Sequence, residues 1–549
     1  MASDSGDVAD TRRTVTDVPT VPSPRQYDDP QRWWILAACC TVAFALQAEP
    51  FLWMIGYEIP SSAFGTGWNE YRILASLGVL LFVAFQIIGG VLGDLLGRRK
   101  ILLIGAVGAT LFNLFSLLAP NLLALTLLRA MVGVMGALAF PLTLALIRLT
   151  FEGTERTRAL VIYTFVTGVG VLASLLGIPF EYWWGWRAAL VLPIVVGAIG
   201  LYLAWRYVPE SRAQGGFGRF EALTAAAWAM VFLAAMFGLV MARLSGTWFN
   251  PITVTAGVFS ALGLLLLIVW TQFARRQNLF RGAANEVPRH FLSLLLLVSA
   301  ALSFGLVGYA QMLYGFFFTA RQLPGFIAGV ALAPVFLGNL FILRWAARFT
   351  TSQPAYVSVG GGLAAMGVAM LLTALARPNT PYLFIIPMMM LFGIGFLIAS
   401  ASWAYFFFAA LPADLIGLSS GLNRAAGLIG SGLSGVLLAT VLALSGTADF
   451  KLRMADLTLT PQQQAVALQA VDTALRQGIT ADDIAQAPGA IVGLGLMAAY
   501  REAFSVGVAS ALILAGAVCL AVAAVAWFWL RGVKRAADDT GETRSQANE

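Results

Sequence analysis

The sequence predicts an all-α integral membrane protein with fourteen transmembrane helices, and three observations predict it. Hydrophobic residues fill 59% of the 549 positions and charged residues only 11%. The mean hydropathy is +0.81. Runs of mostly apolar residues recur along the whole chain, each long enough to cross the roughly 30 Å hydrocarbon core as a helix.

Taken in order, residues 1–32 mix Asp, Arg, Pro, Ser and Thr with little apolar content and lack the apolar core of a cleavable leader, so they form a disordered tail. Spans are expected at 33–58, 71–94, 100–118, 122–150, 157–180 and 187–207, forming a first bundle over 33–207. A linker, 208–289, carries two further spans at 222–243 and 252–273. A second bundle, 290–531, carries spans at 290–319, 325–347, 355–376, 381–409, 414–445 and 501–531, and residues 532–549 form a second tail. Within it the outer segment, about 446–499, has a helix start at Thr460 and Pro461, with Val466, Leu468, Val471 and Leu475 on a helical period. An outer cap helix is predicted there.

Most of the 34 Lys and Arg gather in short connections such as "GRRK", "ERTR" and "ESRAQGGFGR" that fall on one side. That side is the cytoplasmic one, which places both termini in the cytoplasm of a multi-pass protein of the cytoplasmic membrane. The formal charge of +7 therefore reports orientation, and no nucleic-acid partner is indicated. Cys39, Cys40 and Cys519 lie inside apolar spans without metal-ligand spacing, so they are small core residues and no metal or cofactor is called for.

"GGVLGDLLGRRKIL" places Asp94 and the triplet Arg98, Arg99 and Lys100 at the cytoplasmic end of the second span. Glycines at 90 and 93 allow close helix approach, Gly97 allows a tight turn, and Asp94 can form a charge-assisted latch to nearby arginines or helix ends. The stretch resembles the major facilitator superfamily signature between helices two and three, with Gly90, Leu92, Gly93, Asp94, Gly97, Arg98 and Arg99 in order. "LLRAMVG" resembles that family's R-x-x-x-G signature through Arg129 and Gly133, "ERTRAL" its basic connection before span five, and "WGWR" its turn before span six. Fourteen spans and "LPADLIGLSSGLNRAAGLIGSGLSG" resemble the drug:proton antiporter branch. The resemblance implies two six-helix bundles plus two extra central helices, a cavity between the halves that opens alternately to each side, and export of amphipathic compounds in exchange for protons. Two departures stand out. Aligned on Pro60, Phe51 occupies the place of the branch's first-span Asp, and Val171 and Leu172 occupy that of its Gly-Pro pair.

Glu49, in "FALQAEPFLWMIGYEIP", is a carboxylate inside an apolar run, and such residues mark pathways, proton relays or paired charges. It sits about 24 Å along the helix from Trp33, and Arg129 about 10 to 12 Å below the outer boundary in span four, so their depths differ by several ångströms. If spans one and four are neighbours, the two side chains can meet. Two readings stay open: a fixed ion pair, or a proton-coupling pair in which burial raises the Glu49 pKa and Arg129 lowers it, with the balance changing between states. Candidate cavity residues, polar or aromatic at mid-span depth, are Gln47, Trp53, Tyr163, Tyr309, Gln311, Asn339, Trp403 and Arg424, the last beside Asn423.

An ATP-driven pump needs a phosphate loop ending in Gly-Lys, and none of Lys100, Lys451 and Lys534 follows a glycine. "GLSSG" at 417–421 matches a hydrolase pattern in letters only, since it lacks the preceding strand and the single histidine, His290, opens a cytoplasmic span end. No catalytic residue is assigned. The reading is a monomeric secondary transporter in the lipid bilayer, exporting small amphipathic or drug-like molecules against protons. Its alternative is a carrier of one specific metabolite without proton antiport.

Overall fold

The computed structural model describes residues 29–48, 64, 68–212, 227, 230, 231, 233–235, 237, 238, 241, 251–276, 289–409, 416–455, 460–477 and 494–546, and among these there is helix and no strand. The first group of helices is α1 (Asp29–Gln47), α2 (Trp68–Leu96), α3 (Arg98–Ser116), α4 (Leu122–Thr150), α5 (Gly153–Trp184), the short α6 (Trp186–Ala189) and α7 (Val191–Tyr207). Then comes α8 (Pro251–Arg276). The second group is α9 (Arg289–Gly315), α10 (Gly325–Val330), α11 (Pro334–Ser352), α12 (Gly361–Thr373), α13 (Tyr382–Ala409), α14 (Ile416–Met454), α15 (Pro461–Gln477) and α16 (Leu494–Gln546). Single π turns extend α9 over Phe316–Ala320 and precede α12 over Tyr356–Gly360.

Among the described residues nine helical stretches are long and apolar enough to cross a membrane. Span 122–150 coincides with α4 at both ends. Most of the predicted span 222–243 lies outside the described residues, though Gly238 abuts Ala256 on α8 and Val231 lies beside Gly263. The α8 surface is open and apolar, with Phe259 73% exposed, as a peripheral lipid-facing helix requires.

Three expectations need adjustment. Span 325–347 is not continuous: α10 ends at Val330 and α11 restarts at Pro334, because proline has no N–H to continue the ladder. A carbonyl left at the break, that of Ala331, accepts from the Tyr382 hydroxyl at 2.9 Å. The last two long helices overrun their predicted outer ends, α14 to Met454 and α16 from Leu494. At 1.5 Å per residue the 39 residues of α14 measure roughly 58 Å, well beyond the hydrocarbon core. The projecting ends and α15 share buried Phe450, Met454, Val471, Leu475 and Tyr500. The cap helix thus exists, but Val466 is 44% exposed; positions 468, 471 and 475 follow the 3–4 spacing of one face and 466 falls off it.

Packing separates two groups. Within the first, α2 and α3 lie on α4, and α1 on α4, α5 and α7; within the second, α14 lies on α9 and α16, and α13 on α11 and α12. The groups meet where α2 and α4 touch α14, and where α5 touches α10, α11 and α13. The second seam includes Val161, Ala346, Leu397 and Ala401, all buried. This is the α-helical, two-bundle membrane architecture with extra central helices that the spans predict.

The closest approach inside the first group is α2 on α4. A Cβ at Gly133 would run into the carbonyl of Gly78, and one at Gly78 would stand 3.0 Å from the Arg129 carbonyl. Without side chains between them the backbones reach van der Waals contact, which is the main attraction between helices in lipid. Gly133→Leu is therefore expected to lose at least about 1–3 kcal/mol of stability, read as a lowered melting temperature of the detergent-solubilised protein. Gly257→Ala, where a Cβ meets nothing within 4 Å, leaves that temperature unchanged or slightly raised.

Candidate functional site

The motif after α2 builds a closed electrostatic knot. Asp94 and Arg98 are both buried; Arg98 Nε and Nη2 each lie 2.9 Å from Asp94 Oδ1. The i,i+4 spacing brings the two together across the sharp turn at Gly97, whose φ of +118° is a conformation that favours glycine. A Cβ there would meet Glu210 Oε1 at 2.6 Å, so the same glycine gives Glu210 its place. Gly90 is buried one turn earlier on α2.

Glu210 is the member of this knot that sequence reasoning missed. Its carboxylate accepts the backbone N–H of Arg99 at 3.1 Å, of Lys100 at 3.2 Å and of Ser211 at 3.0 Å. The α3 N-cap is Gly97 and has no side chain to satisfy these groups, so a carboxylate borrowed from beyond α7 does so, where the helix dipole favours negative charge. Arg98 N–H donates to the Ser211 carbonyl at 2.9 Å, and Arg99 Nη2 to the Trp205 carbonyl at 2.7 Å. The C-terminal turn of α7 and the N-terminus of α3 are thereby tied together. The available signal was an acidic residue directly after a span end, in a connection read only for its arginines.

The same end of the bundle carries a second tie. Arg32 Nη1 lies 2.9 Å from Glu155 Oε2, joining the starts of α1 and α5. Trp33 meets the Phe151 ring edge-on at 5.4 Å and Trp34 stacks on Tyr207 at 5.1 Å. At the opposite end Arg187 of "WGWR" donates from Nε to the Leu117 carbonyl at 2.7 Å, capping the C-terminus of α3, and lies 4.4 Å over the Trp186 ring.

Arg129 is buried. Its Nη2 donates to Asn113 Oδ1 at 2.6 Å and Ser116 Oγ at 3.2 Å, both on α3. These two polar residues, one helical turn apart in an apolar span, are further partners the sequence reading did not single out. Spans one and four are neighbours, with Leu46 packed where a Cβ on Gly136 would come. Glu49 and Trp53 lie outside the described residues, as does the side chain of Arg424.

The remaining candidates divide by environment. Tyr163 is buried with its hydroxyl 2.8 Å from Thr143 Oγ1, and Tyr309 is buried with its hydroxyl 2.9 Å from Thr373 Oγ1 and its ring stacked on Phe392 at 4.1 Å. Gln47 and Gln311 are half-buried; Gln47 lies against α5 at Gly170. Asn339 is buried, and its Oδ1 has no hydrogen-bond partner; the same holds for both amide atoms of Gln86 on α2. Buried amides of this kind call for water or ligand. Trp403 is buried against Phe406 and Phe407, and its Nε1 donates to Ser299 Oγ at 2.9 Å, whose hydroxyl in turn donates to Asn423 Oδ1. Among the described residues no group of three or more His, Cys, Asp or Glu could hold a metal ion.

Residues 33–435 match the family described as the Major Facilitator Superfamily. The chain is 27% identical over 519 residues to the multidrug efflux pump LfrA of Mycolicibacterium smegmatis, covering 92% of this chain and 97% of that one. It is 28% identical over 393 residues to the puromycin resistance protein pur8 of Streptomyces alboniger, covering 69% of this chain and 76% of that one. Among solved structures, the proton:xylose symporter XylE aligns with a TM-score of 0.56 at 13% identity, covering 92% of this chain and 97% of that one. The human organic anion transporter MFSD10 aligns with a TM-score of 0.56 at 14% identity, covering 90% and 100%. These two establish likeness of fold. The helical architecture, the knot at the end of α2 and the match over most of its length make this chain a transporter, not an enzyme, and a member of the major facilitator superfamily.

Proposed function

We propose that this chain exports small amphipathic, drug-like molecules across the cytoplasmic membrane in exchange for protons, by alternating access between its two bundles. The observation that carries the reading is the nearly end-to-end likeness to a multidrug efflux pump; the departures at Phe51 and at Val171 and Leu172 are local to two spans. Both termini are cytoplasmic in this reading, because the end holding Asp94, Arg98, Arg99, Lys100, Glu155 and Arg156 has the excess of basic residues. The transporting unit is a monomer, of bundles 33–207 and 290–531 joined by the segment 208–289.

Glu49 carries the proton. With Phe51 where the antiporter branch has its aspartate, Glu49 is the carboxylate two residues away on the same span. Arg129 is its electrostatic partner. The guanidinium, which donates to Asn113 and Ser116, supplies positive charge at the level of the α1–α4 contact. Such a charge favours the ionised carboxylate when it is near and lets it protonate when the spacing grows. Gln47, Trp53, Gln311, Asn339, Trp403 and Arg424 line the substrate path, while Tyr163 and Tyr309 brace its walls through Thr143 and Thr373.

The direct test uses proteoliposomes under an imposed pH gradient, with proton release recorded on adding lipophilic cations. Wild type is expected to release protons on substrate addition, and Glu49→Gln to bind substrate without release. Equal release from both would reduce Glu49 to a structural charge; no release from either would favour a carrier without antiport. For the knot, Glu210→Gln keeps two acceptor lone pairs on one oxygen but loses the charge at the α3 N-terminus. It is expected to cost about 0.3–1 kcal/mol of stability. Asp94→Asn, which leaves Arg98 buried without its counter-charge, is expected to cost about 3–5 kcal/mol, both read from thermal unfolding.

A further inference from the structure

Two buried amides occupy matching places in the two bundles. Gln86 lies on α2 and Asn339 on α11, each in the second span of its bundle. Gln86 is fully buried and Asn339 is 2% exposed, and neither the Gln86 amide atoms nor Asn339 Oδ1 have a hydrogen-bond partner. Across the seam α2 meets α14, the fifth span of the second bundle, and α11 meets α5, the fifth span of the first. The fourth spans follow the same rule, α4 touching α14 and α13 touching α5. Each amide therefore belongs to a triangle of mutually touching helices, one from the opposite bundle, as repeats related by an axis along the membrane normal require.

Within each triangle the helical period gives the direction. On α11, Gly338 faces Met390 of α13 and Phe336 faces Gly168 of α5. At 3.6 residues per turn Asn339 falls between those two faces, on the row that continues through Leu343 and Ala346. Ala346 is buried with Val161 of α5 and with Leu397 and Ala401 of α13, and Leu343 packs on them. Asn339 thus points into the junction of α11, α13 and α5. On α2, Phe82, Gly89 and Gly93 face Phe140, Ala137 and Leu142 of α4. Gln86 stands at the edge of that face, and the buried arc runs on through Gly90, Ile87 and Val91, the side left for α14. The depths agree too, roughly 15 Å from the end of α2 at Leu96 and roughly 20 Å from the end of α11 at Ser352. Nearer those ends lie Asp94 on one seam and the Val161 and Ala346 contact on the other.

An amide packed without a partner disfavours the packed arrangement, and the cost disappears when water reaches it. We propose that Gln86 and Asn339 are a repeat-related pair that sets the balance of alternating access, each weakening the closed form of its own seam and so favouring opening at the Asp94 end. The assignment rests on the alternating-access reading and names what keeps the closed seams from becoming a trap. Matched placement lets the two seams release together.

The test reads the separation of the bundles directly. Spin labels at Lys100→Cys and Ser352→Cys, exposed positions near the ends of α2 and α11, report the distance between the bundles by pulsed electron paramagnetic resonance of the full-length protein in nanodiscs. Cys39, Cys40 and Cys519 are buried and leave these as the labelled sites. Gln86→Leu and Asn339→Leu, which remove the polar atoms, are each expected to raise the ratio of short to long distance about tenfold. Gln86→Glu and Asn339→Asp keep the shape but bring a charge into the junction at pH 8, and are expected to lower that ratio. A merely steric role would leave these two acids at the wild-type ratio. That result, shifts of one sign in all four variants, a response at only one of the two positions, or no shift while wild type samples both distances would overturn the assignment and leave alternating access standing. One fixed distance in wild type and in every variant would overturn alternating access and this assignment with it.

Discussion

Hydrocarbon offers no hydrogen bonds, and the rest of this structure depends on that constraint. Every polar group carried into the bilayer must find its partner inside the protein or in a wet space the protein encloses. The helices meet it for the backbone, and the exceptions are repaired one by one. Where Pro334 interrupts a span, Tyr382 bonds the Ala331 carbonyl. Where α3 ends, Arg187 takes the Leu117 carbonyl, and where the π turn after α9 ends, Arg501 takes that of Ala320 at 2.8 Å. For charged side chains the repair is costlier, so Asp94 and Arg98 neutralise each other and Arg129 donates to Asn113 and Ser116 on α3.

The same solvent reverses the packing logic of a soluble protein. Large apolar side chains such as Phe259, Phe341 and Phe528 face outward, at 73%, 77% and 74% exposure, because lipid costs them nothing. Inside, attraction must come from close contact, so small residues mark the crossings, as Gly78 and Gly133 do between α2 and α4. Polar ties then select the crossing that forms. The Asn113 and Ser116 pair fixes α4 against α3, and Thr143 with Tyr163 fixes α4 against α5.

Legibility in the sequence follows the range of each interaction. Hydropathy is local and strong, so span 122–150 was readable to the residue, and the knot's core was readable because Asp94, Gly97 and Arg98 fall within five consecutive positions. Glu210 was not, since the Arg99 and Lys100 N–H groups it accepts lie more than a hundred positions away along the chain and its own neighbours suggested only a basic loop. Asn113 and Ser116 were hidden for the same reason: alone, each is an ordinary polar residue in an apolar helix, and only the arrival of Arg129 gives them a use. Conversely the sequence offers Tyr163 and Tyr309 as cavity residues, because a hydroxyl's partner on another helix leaves no periodic trace. The overruns of α14 and α16 escaped because hydropathy marks where lipid ends, whereas a helix stops only where its hydrogen bonding and packing do.

Transport by alternating access requires contacts that persist and contacts that exchange. The ties around α3 join helices of the first bundle: α7 through Glu210, Ser211 and Trp205, and α4 through Arg129. Trp403, Ser299 and Asn423 likewise join α13, α9 and α14 within the second. By contrast, Val161 of α5 meets Ala346, Leu397 and Ala401 across the seam through aliphatic surfaces, which part and re-pack without breaking a directed bond. Hydrogen bonds thus stiffen each bundle, with buried charge added in the first, while an apolar surface is placed where one bundle must move past the other. Helix α14 belongs to both arrangements, bound to α9 by polar contacts and laid on α2 and α4 across the seam.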